Sequence, residues 1–337
     1  MTASPTAPVA QRSRRVLLPW LVRAGVSALV LAFLFSIVPI EQVWSNARRL
    51  PPLLWLFALG LFLLGHCAAA AKWRLLIGPG ISFAHAFEAH LAGLAANLCL
   101  PGLAGGDVVR AGLVYPEAAD KPRLAVGSIA DRLLDMFGLM VLAVAGALWS
   151  LPQRQGVPTG LLWVLIASAL ALCAVVPGSL ILDRVLRNAR HEGRMARLAA
   201  RAVSATALLV HQPRRLILCL AISMAVQATF VGINIALASA VQLEAPLGAW
   251  FFAWSTAKII AIAPVSLGGL GVREAAMSRL LAPFGADPAQ VIAIGLIWQT
   301  ILYASGLIGV LAQLAWRPTT ENVVAPVASA ATVERSS

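Results

Sequence analysis

Two short stretches, PGLAGGDVVR at residues 101–110 and PVSLGGLGVR at residues 264–273, place glycines and charged side chains inside long apolar segments. Aligned without gaps, they share the pattern P-x-x-x-G-G-x-x-V-R. Proline interrupts a helix because it has no N–H to donate, and paired glycines allow backbone conformations that other residues avoid. Each stretch therefore predicts a break between two helical arms, within the segments 82–115 and 247–282.

The sequence around these breaks has the composition of a membrane protein. Its 337 residues are 60% hydrophobic and 12% charged, and the mean hydropathy is +0.83. A helix needs about 20 consecutive apolar residues to cross a bilayer core. We expect six full spans, at 16–38, 53–71, 124–150, 159–178, 216–240 and 289–316. This predicts an all-α polytopic membrane protein with a membrane domain at 16–316, a tail at 1–15 and a disordered tail at 317–337.

Several function classes find no support in the sequence. It contains no GxxxxGK[ST] motif, and its longest polar stretch, 179–215, is too short for a nucleotide-binding domain, so we expect no ATP-driven pump. The four cysteines lie in apolar segments without a C-x-x-C pair, and we interpret them as packing residues (Cys67, Cys99, Cys173 and Cys219). We also expect no metal and no cofactor. We expect no nucleic acid, because the formal charge of +12 on a membrane protein reports orientation and contact with anionic lipids.

The distribution of arginine decides how the broken segments are counted. If each crossed the membrane once, eight arginines between residues 184 and 215 would lie outside the cell, against the positive-inside rule. If each instead enters and leaves by the same face, these arginines become cytoplasmic, as do both termini and the pair Lys72 and Arg74. We therefore predict two re-entrant hairpins and a multi-pass protein of the inner (cytoplasmic) membrane, with its N- and C-termini in the cytoplasm.

Arginine recurs every three or four residues within 183–213, a spacing typical of one helix face. The arginines concerned are Arg184, Arg187, Arg190, Arg194, Arg197 and Arg201. One interpretation is a basic cytoplasmic helix that binds anionic headgroups on the inner leaflet. The alternative is a solvated loop that only fixes the topology.

The shared pattern of the two breaks indicates an internal repeat. Three full spans separate them, and an odd number of crossings inverts the second copy relative to the first, a pattern typical of transporters whose broken helices meet near the bilayer midplane. Arg110 and Arg273 lie three or four residues into helices expected to restart at about Asp107 and Leu270. Two helix N-termini with an arginine each would suit an anionic group such as a phosphate. The predicted substrate-binding set is Asn97, Gly105, Gly106, Arg110, Gly268, Gly269 and Arg273.

Further charges inside the apolar segments are candidates for charge balance or proton coupling, because an isolated charge at membrane depth is costly. Asp107 can pair with Arg110 at i,i+3, whereas Arg273 and Glu274 are neighbours that do not face each other, so we expect Arg273 to be freer to meet a ligand. Lys258 is expected to lie deep in the second segment. The complete set is Asp107, Asp131, Arg132, Asp135, Lys258 and Glu274.

The motif DRLLDMFGL contributes the three charges of the span 124–150. Asp131 and Asp135 share a helix face at i,i+4, and Arg132 can reach Asp135 at i,i+3. Either Arg132 merely neutralises an aspartate near the interface, or the group faces a central cavity. His90 is expected near the cytoplasmic interface, and Gln227, Asn234 and Gln299 are expected to form hydrogen bonds between helices.

These motifs resemble the flippase-like transmembrane region of the lysylphosphatidylglycerol synthase family over about residues 15–316. The resemblance rests on LPGLAGGDVVR with the upstream Asn97, on DRLLDMFGL, and on APVSLGGLGVREAAM. It implies lipid translocation: of aminoacylated phosphatidylglycerol in full-length synthases, and of isoprenoid-linked or hopanoid-related lipids in stand-alone members. Only some twenty residues follow Trp316, so no aminoacyl-transferring domain and no lysyl-lipid synthesis are expected. Gly106 is followed by Asp107 where many relatives carry glutamate.

The leading prediction is a lipid flippase or facilitator, not an enzyme, that moves a phosphate-bearing lipid across the inner membrane. The alternative is a non-transporting scaffold that recruits a lipid- or glycan-modifying membrane enzyme through the basic helix. A membrane-embedded lipid enzyme has weaker support, since D-x-x-x-D without a nearby histidine is a poor acid/base set.

Overall fold

The computed structural model describes residues 32, 36, 40–99, 104–150, 159–187, 211–262, 266 and 269–315. These residues form ten α-helices and a 3-10 turn, and no strand occurs among them. The helices are α1 (Ile40–Ala47), α2 (Pro52–Ile77), α3 (Phe83–Cys99), α4 (Ala104–Val114), α5 (Lys121–Ser150), α6 (Thr159–Arg187), α7 (Pro213–Ala240), α8 (Leu247–Ala261), α9 (Val272–Leu281) and α10 (Pro288–Ala315). The 3-10 turn, Ala282–Phe284, directly follows α9.

Four of these helices are long and apolar enough to cross a membrane, namely α2, α5, α7 and α10. They coincide with the predicted spans 53–71, 124–150, 216–240 and 289–316, and α6 covers the predicted span 159–178. The molecule is therefore a multi-pass helical membrane protein. The predicted first span 16–38, the tails 1–15 and 317–337 and most of the basic segment 183–213 lie outside the described residues.

The first broken segment folds as the hairpin α3–α4, whose arms pack against each other, and the second folds as α8–α9 in the same way. The four arms have 17, 11, 15 and 10 residues. At 1.5 Å per residue they reach about 15 to 26 Å, less than the roughly 30 Å of a hydrocarbon core. The break that the glycine motifs predict is present in both copies.

The two hairpins are packed crosswise by the long helices that follow them. Helix α5, which follows the first hairpin, packs on α8 of the second, and α10, which follows the second hairpin, packs on α3 of the first. A Cβ on Gly146 of α5 would meet the backbone nitrogen of Phe252 at 2.5 Å, and Gly309 of α10 approaches the backbone of Leu91 equally closely. The same close glycine contact thus recurs at both crossings.

The restart points of the second arms differ from the prediction. Helix α4 begins at Ala104 rather than at about Asp107, and α9 begins at Val272 rather than at Leu270. Arg110 is consequently the seventh residue of its helix and Arg273 the second. The arginines, although in register in the sequence, therefore occupy different turns of their helices. An additional short helix, α1, was not predicted and packs against α10.

Candidate functional site

Six charged side chains from α2, α4 and α5 form one continuous alternating row, here called the charge chain. Its order is Asp135, Lys72, Asp131, Arg110, Asp107 and Arg132. It holds three cations and three carboxylates and is therefore neutral as a whole. The sequence predicts five of its members; Lys72 was not among the predicted site residues and is 1% exposed.

Lys72 is the centre of the buried end of the charge chain. Its Nζ donates to Asp135, to Ser223 Oγ at 3.1 Å and to the backbone oxygen of Asp131 at 3.4 Å, and it lies 3.1 Å from Asp131 Oδ1. The three protons of the ammonium thus have three acceptors. Ser223 donates in turn to Asp135, so α7 also contributes to the site. Asp131 and Asp135 both bind this lysine, which confirms the prediction that they share one face of α5.

Arg110 links the two hairpin arms to α5. Its Nη2 donates to Asp131 Oδ2 at 3.0 Å and lies 3.2 Å from Asp107 Oδ1, which confirms the predicted i,i+3 pair. The guanidinium stacks 4.4 Å from the ring centroid of Trp73. Arg110 is therefore compensated by two carboxylates and an aromatic face.

Two histidines continue the polar contacts from Arg110 to α2. Arg110 Nη1 lies 3.1 Å from His90 Nδ1, and His90 Nε2 lies 3.0 Å from His66 Nδ1. Arginine can only donate, so His90 Nδ1 accepts, its proton is on Nε2, and that N–H donates to His66. Both rings are neutral in this arrangement. His90 is buried, in contact with α2 through His66 and with α4 through Arg110.

The opposite end of the charge chain is more accessible. Arg132 donates from Nε and Nη2 to the two oxygens of Asp107, a bidentate pair, and its side chain is 49% exposed. The sequence pattern predicted instead that Arg132 reaches Asp135, which is wrong: Asp135 binds Lys72. Arg132 lies on the side of α5 that faces the first hairpin, so a partner in α4 is nearer than one on its own helix.

A side-chain hydrogen bond connects the two arms of the first hairpin. Asn97 Oδ1 accepts a hydrogen bond of 3.0 Å from the backbone N–H of Gly106, the third residue of α4. A Cβ on Gly106 would collide with the Asn97 side chain and with the backbone oxygen of Gly93. Gly105 is the residue before it in the first turn of α4. Asn97 therefore satisfies an N–H group of the helix N-terminus that was expected to face a ligand.

The second hairpin holds a smaller neutral pair. Arg273 donates to Glu274 Oε1 from Nε at 3.1 Å and from Nη2, and Glu274 Oε2 accepts from the N–H of Gly271 at 2.7 Å. The expectation that Arg273 is freer than Arg110 is wrong. Glu274 turns back to cap its own helix, and this brings its carboxylate within reach of the long arginine side chain.

The remaining contacts of Arg273 tie it to α10 and α8. Its Nη2 donates to the backbone oxygen of Gly295 at 3.3 Å and to Gln299 Oε1 at 3.4 Å, and its guanidinium lies 5.8 Å from the ring centroid of Trp254. The prediction that Gln299 bonds between helices is confirmed. Gly269 has φ +79° at the break, which glycine adopts without strain. Gly268 lies outside the described residues.

A row of aromatic rings separates the charge chain from the Arg273 pair. His66 lies 4.4 Å from Phe62, Phe62 lies 5.3 Å from Trp298, and Trp298 lies 4.7 Å from Trp254, between ring centroids. Phe230 packs against the first three of these rings. Among the described residues, no hydrogen bond or ion pair joins a member of the charge chain to Arg273 or Glu274.

Lys258 lies beside this aromatic row. Its Nζ donates to Gln227 Oε1 at 2.8 Å and lies 4.8 Å from the ring centroid of Phe230, both on α7. This confirms the interhelical hydrogen bond predicted for Gln227. Asn234 differs, because its Nδ2 donates to the oxygen of Phe230 within α7 itself.

The sequence pattern missed the residues that join the clusters through space, among them Lys72, His66, Ser223 and Trp73. Lys72 follows the apolar run of α2 directly, and the prediction ended the span at residue 71 although α2 continues to Ile77. A lysine and a histidine six residues apart within one apolar helix were the only available signal.

Comparison with known families agrees with these motifs. The model described as the lysylphosphatidylglycerol synthase TM region matches residues 20–309. The chain belongs to this family. The match includes both hairpins, every member of the charge chain and the Arg273 pair. No curated protein matches the chain in a sequence search.

Proposed function

We propose that this family member is a lipid flippase or facilitator that moves a phosphate-bearing headgroup across the inner membrane, and not an enzyme. The observation that carries the proposal is the charge chain, whose six ionised side chains lie among apolar helices. Its Lys72 end is buried, while the Asp107–Arg132 pair is partly exposed. Charged groups at membrane depth are expensive and typically mark a path for a polar substrate.

Membership of the family favours lipid as the substrate. The outer surfaces of the long helices carry exposed apolar side chains that suit acyl chains, for example Leu56 and Phe57 on α2 and Leu307 on α10. In the proposed mechanism the headgroup moves along the polar contacts of the first hairpin while the acyl chains stay in the bilayer. The exposed Arg132 is the first cation that such a headgroup would meet.

The short arms of the two hairpins and their crosswise packing by α5 and α10 support a re-entrant, inverted repeat as the frame for this path. Non-helical backbone at membrane depth requires burial in protein or a wet cavity, and a pair of facing hairpins supplies such burial. We propose that the first hairpin enters from the cytoplasmic face, which places the arginines of 184–215 in the cytoplasm, and that the inverted second hairpin enters from the outer face.

The test is reconstitution in liposomes that contain fluorescent phosphatidylglycerol, with dithionite added outside to bleach the outer leaflet. Wild-type protein should expose more than the outer-leaflet half of the label, and protein-free liposomes should not. The double variant Asp107→Asn, Arg132→Gln keeps the pair neutral and should slow exchange. Arg279→Gln, at an exposed cation near the end of α9, is the matched control and should exchange like wild type.

No exchange above protein-free liposomes with any labelled phospholipid or polyprenyl phosphate would overturn the proposal. The scaffold alternative would then gain support if charge reversal of the arginines between 184 and 201 abolished function in cells while the charge-chain variants tolerated change.

A further inference from the structure

Most of the buried cations that the structure describes are already compensated by carboxylates. The charge chain contains three cations and three carboxylates, and Arg273 is paired with Glu274. An anion that bound Arg110 or Arg273 would have to displace a carboxylate that stays buried nearby. Such an exchange leaves one negative charge without a partner, which is unfavourable in a low-dielectric site.

Lys258 differs from these cations. Within the described part of the chain no carboxylate lies at ion-pair distance from its ammonium group, whose partners are the Gln227 amide oxygen and the Phe230 ring. The charges within electrostatic range of Lys258 are Asp135, Arg132, Arg273 and Lys72; the carboxylate among them, Asp135, already binds Lys72. Lys258 is thus an excess positive charge between the two hairpins.

Two buried polar groups without partners belong to the second hairpin, one on α8 and one in the break. Trp254 precedes Lys258 by four residues and so shares its helix face; its indole Nε1 is buried without an acceptor. Ser266, in the second break, is 3% exposed and its hydroxyl also has no partner. An indole N–H can only donate, so it requires an acceptor that the described residues do not supply.

The packing of the break shows that it faces this side of α8. A Cβ on Gly269 would meet the Cβ of Ala261 at 2.9 Å, and Ala261 lies one turn beyond Lys258 on the same face. The guanidinium of Arg273 in turn lies over the Trp254 ring, 5.8 Å from its centroid. The face formed by Trp254, Lys258 and Ala261 therefore lies between the break, the start of α9 and the Gln227 side of α7.

We infer that Lys258, with the unpaired donors of Trp254 and Ser266, is the binding site for the anionic phosphate of a lipid headgroup, rather than the two motif arginines. This inference rests on the proposed function and names the headgroup contact for it. A phosphate supplies several acceptor oxygens and one negative charge, which match an ammonium, an indole N–H and a hydroxyl. A lysine adds selectivity for headgroups with a net negative charge over zwitterionic ones.

Binding is measured on the full chain in detergent by tryptophan fluorescence, with dihexanoyl phosphatidylglycerol as the probe. Dihexanoyl phosphatidylcholine and inorganic phosphate are the comparison ligands. Lys258→Gln should weaken phosphatidylglycerol binding at least about tenfold, as loss of a charge-assisted hydrogen bond predicts, and Lys258→Arg should restore most of it. Arg279→Gln, which removes an exposed cation from the same hairpin, should bind like wild type.

Thermal stability distinguishes a binding lysine from a structural one. Removal of an uncompensated cation relieves a desolvation cost, so Lys258→Gln should unfold at the same temperature as wild type or higher. A lower unfolding temperature together with unchanged phosphatidylglycerol affinity would overturn the inference. Equal affinity for phosphatidylcholine, or tighter Lys258-dependent binding of inorganic phosphate, would also overturn it, because the ligand would then be a zwitterion or a free anion.

The outcome is separable from that of the proposed function. If phosphatidylglycerol binding depends on Lys258 but no translocation occurs in liposomes, the binding site is supported and the transport proposal is refuted. If the wild-type protein translocates lipid but Lys258→Gln binds phosphatidylglycerol like wild type, only the binding-site inference is refuted.

Discussion

Replacement of Lys72 by methionine should destabilise the fold far more than the loss of one surface charge. Methionine preserves much of the side-chain volume, so the change mainly removes the charge. Asp131 would still be paired with Arg110 at 3.0 Å, but Asp135 would keep only the hydroxyl of Ser223. One carboxylate would thus lose its counter-charge in the interior of a helix bundle.

The magnitude follows from the burial of the pair. Breaking a buried ion pair by removing one partner costs about 3–5 kcal/mol, whereas an exposed cation over an aromatic ring contributes about 0.5–1 kcal/mol. Lys121 on α5 provides the second case, since it is exposed and lies 4.5 Å from the ring centroid of Tyr115. At roughly 2 °C per kcal/mol for a large domain, Lys72→Met should lower Tm by on the order of 6 °C or more, and Lys121→Met by about 2 °C or less.

Differential scanning fluorimetry of the purified variants in one detergent measures both shifts. The double variant Lys72→Met, Asp135→Asn should recover part of the lost Tm, because it removes the unpaired charge as well as its partner. Two results would refute the charge-chain interpretation. One is a Tm for Lys72→Met equal to that of Lys121→Met. The other is a double variant whose Tm falls below that of Lys72→Met by as much as Asp135→Asn lowers it alone.

Three further predictions concern packing, the second hairpin and topology. Gly146→Ala should lower Tm, since its Cβ would meet backbone atoms of α8, whereas Gly60→Ala, with nothing within 4 Å, should raise stability by about 0.5–1 kcal/mol through helix propensity. Glu274→Gln should destabilise by about 3 kcal/mol because it leaves Arg273 buried without a carboxylate, and the Tm measurement checks it. A single cysteine at Arg190, in a variant without the native cysteines, should react with membrane-impermeant maleimide only from the cytoplasmic side of inverted vesicles.

Each of these predictions has an outcome that contradicts it. Equal Tm changes at Gly146 and Gly60 would mean that the crossing of α5 and α8 is looser than described. A stable Glu274→Gln protein would show that Arg273 finds another anion. Labelling at Arg190 from the outside would rule out a re-entrant first hairpin, because the number of crossings between the N-terminus and that loop would then be odd.

Local pattern determined the helices of this protein and the position of its two breaks. Apolar runs of sufficient length cannot avoid the helical state in lipid, and proline with paired glycines interrupts it, so α2, α5, α7 and α10 and both hairpins were predictable from residues close together in the chain. The pair of Asp107 with Arg110 was predictable for the same reason, since one helix turn joins them.

The partners of the other charges were decided by tertiary packing. Arg132 binds Asp107, 25 residues away, rather than its helix neighbour Asp135, and Lys72 binds Asp135 across 63 residues. Helix geometry shows which side chains share a face but not which helix lies opposite that face. Helices α2 and α4 both pack on α5, and this arrangement balances the charge chain and leaves Lys258 without a carboxylate.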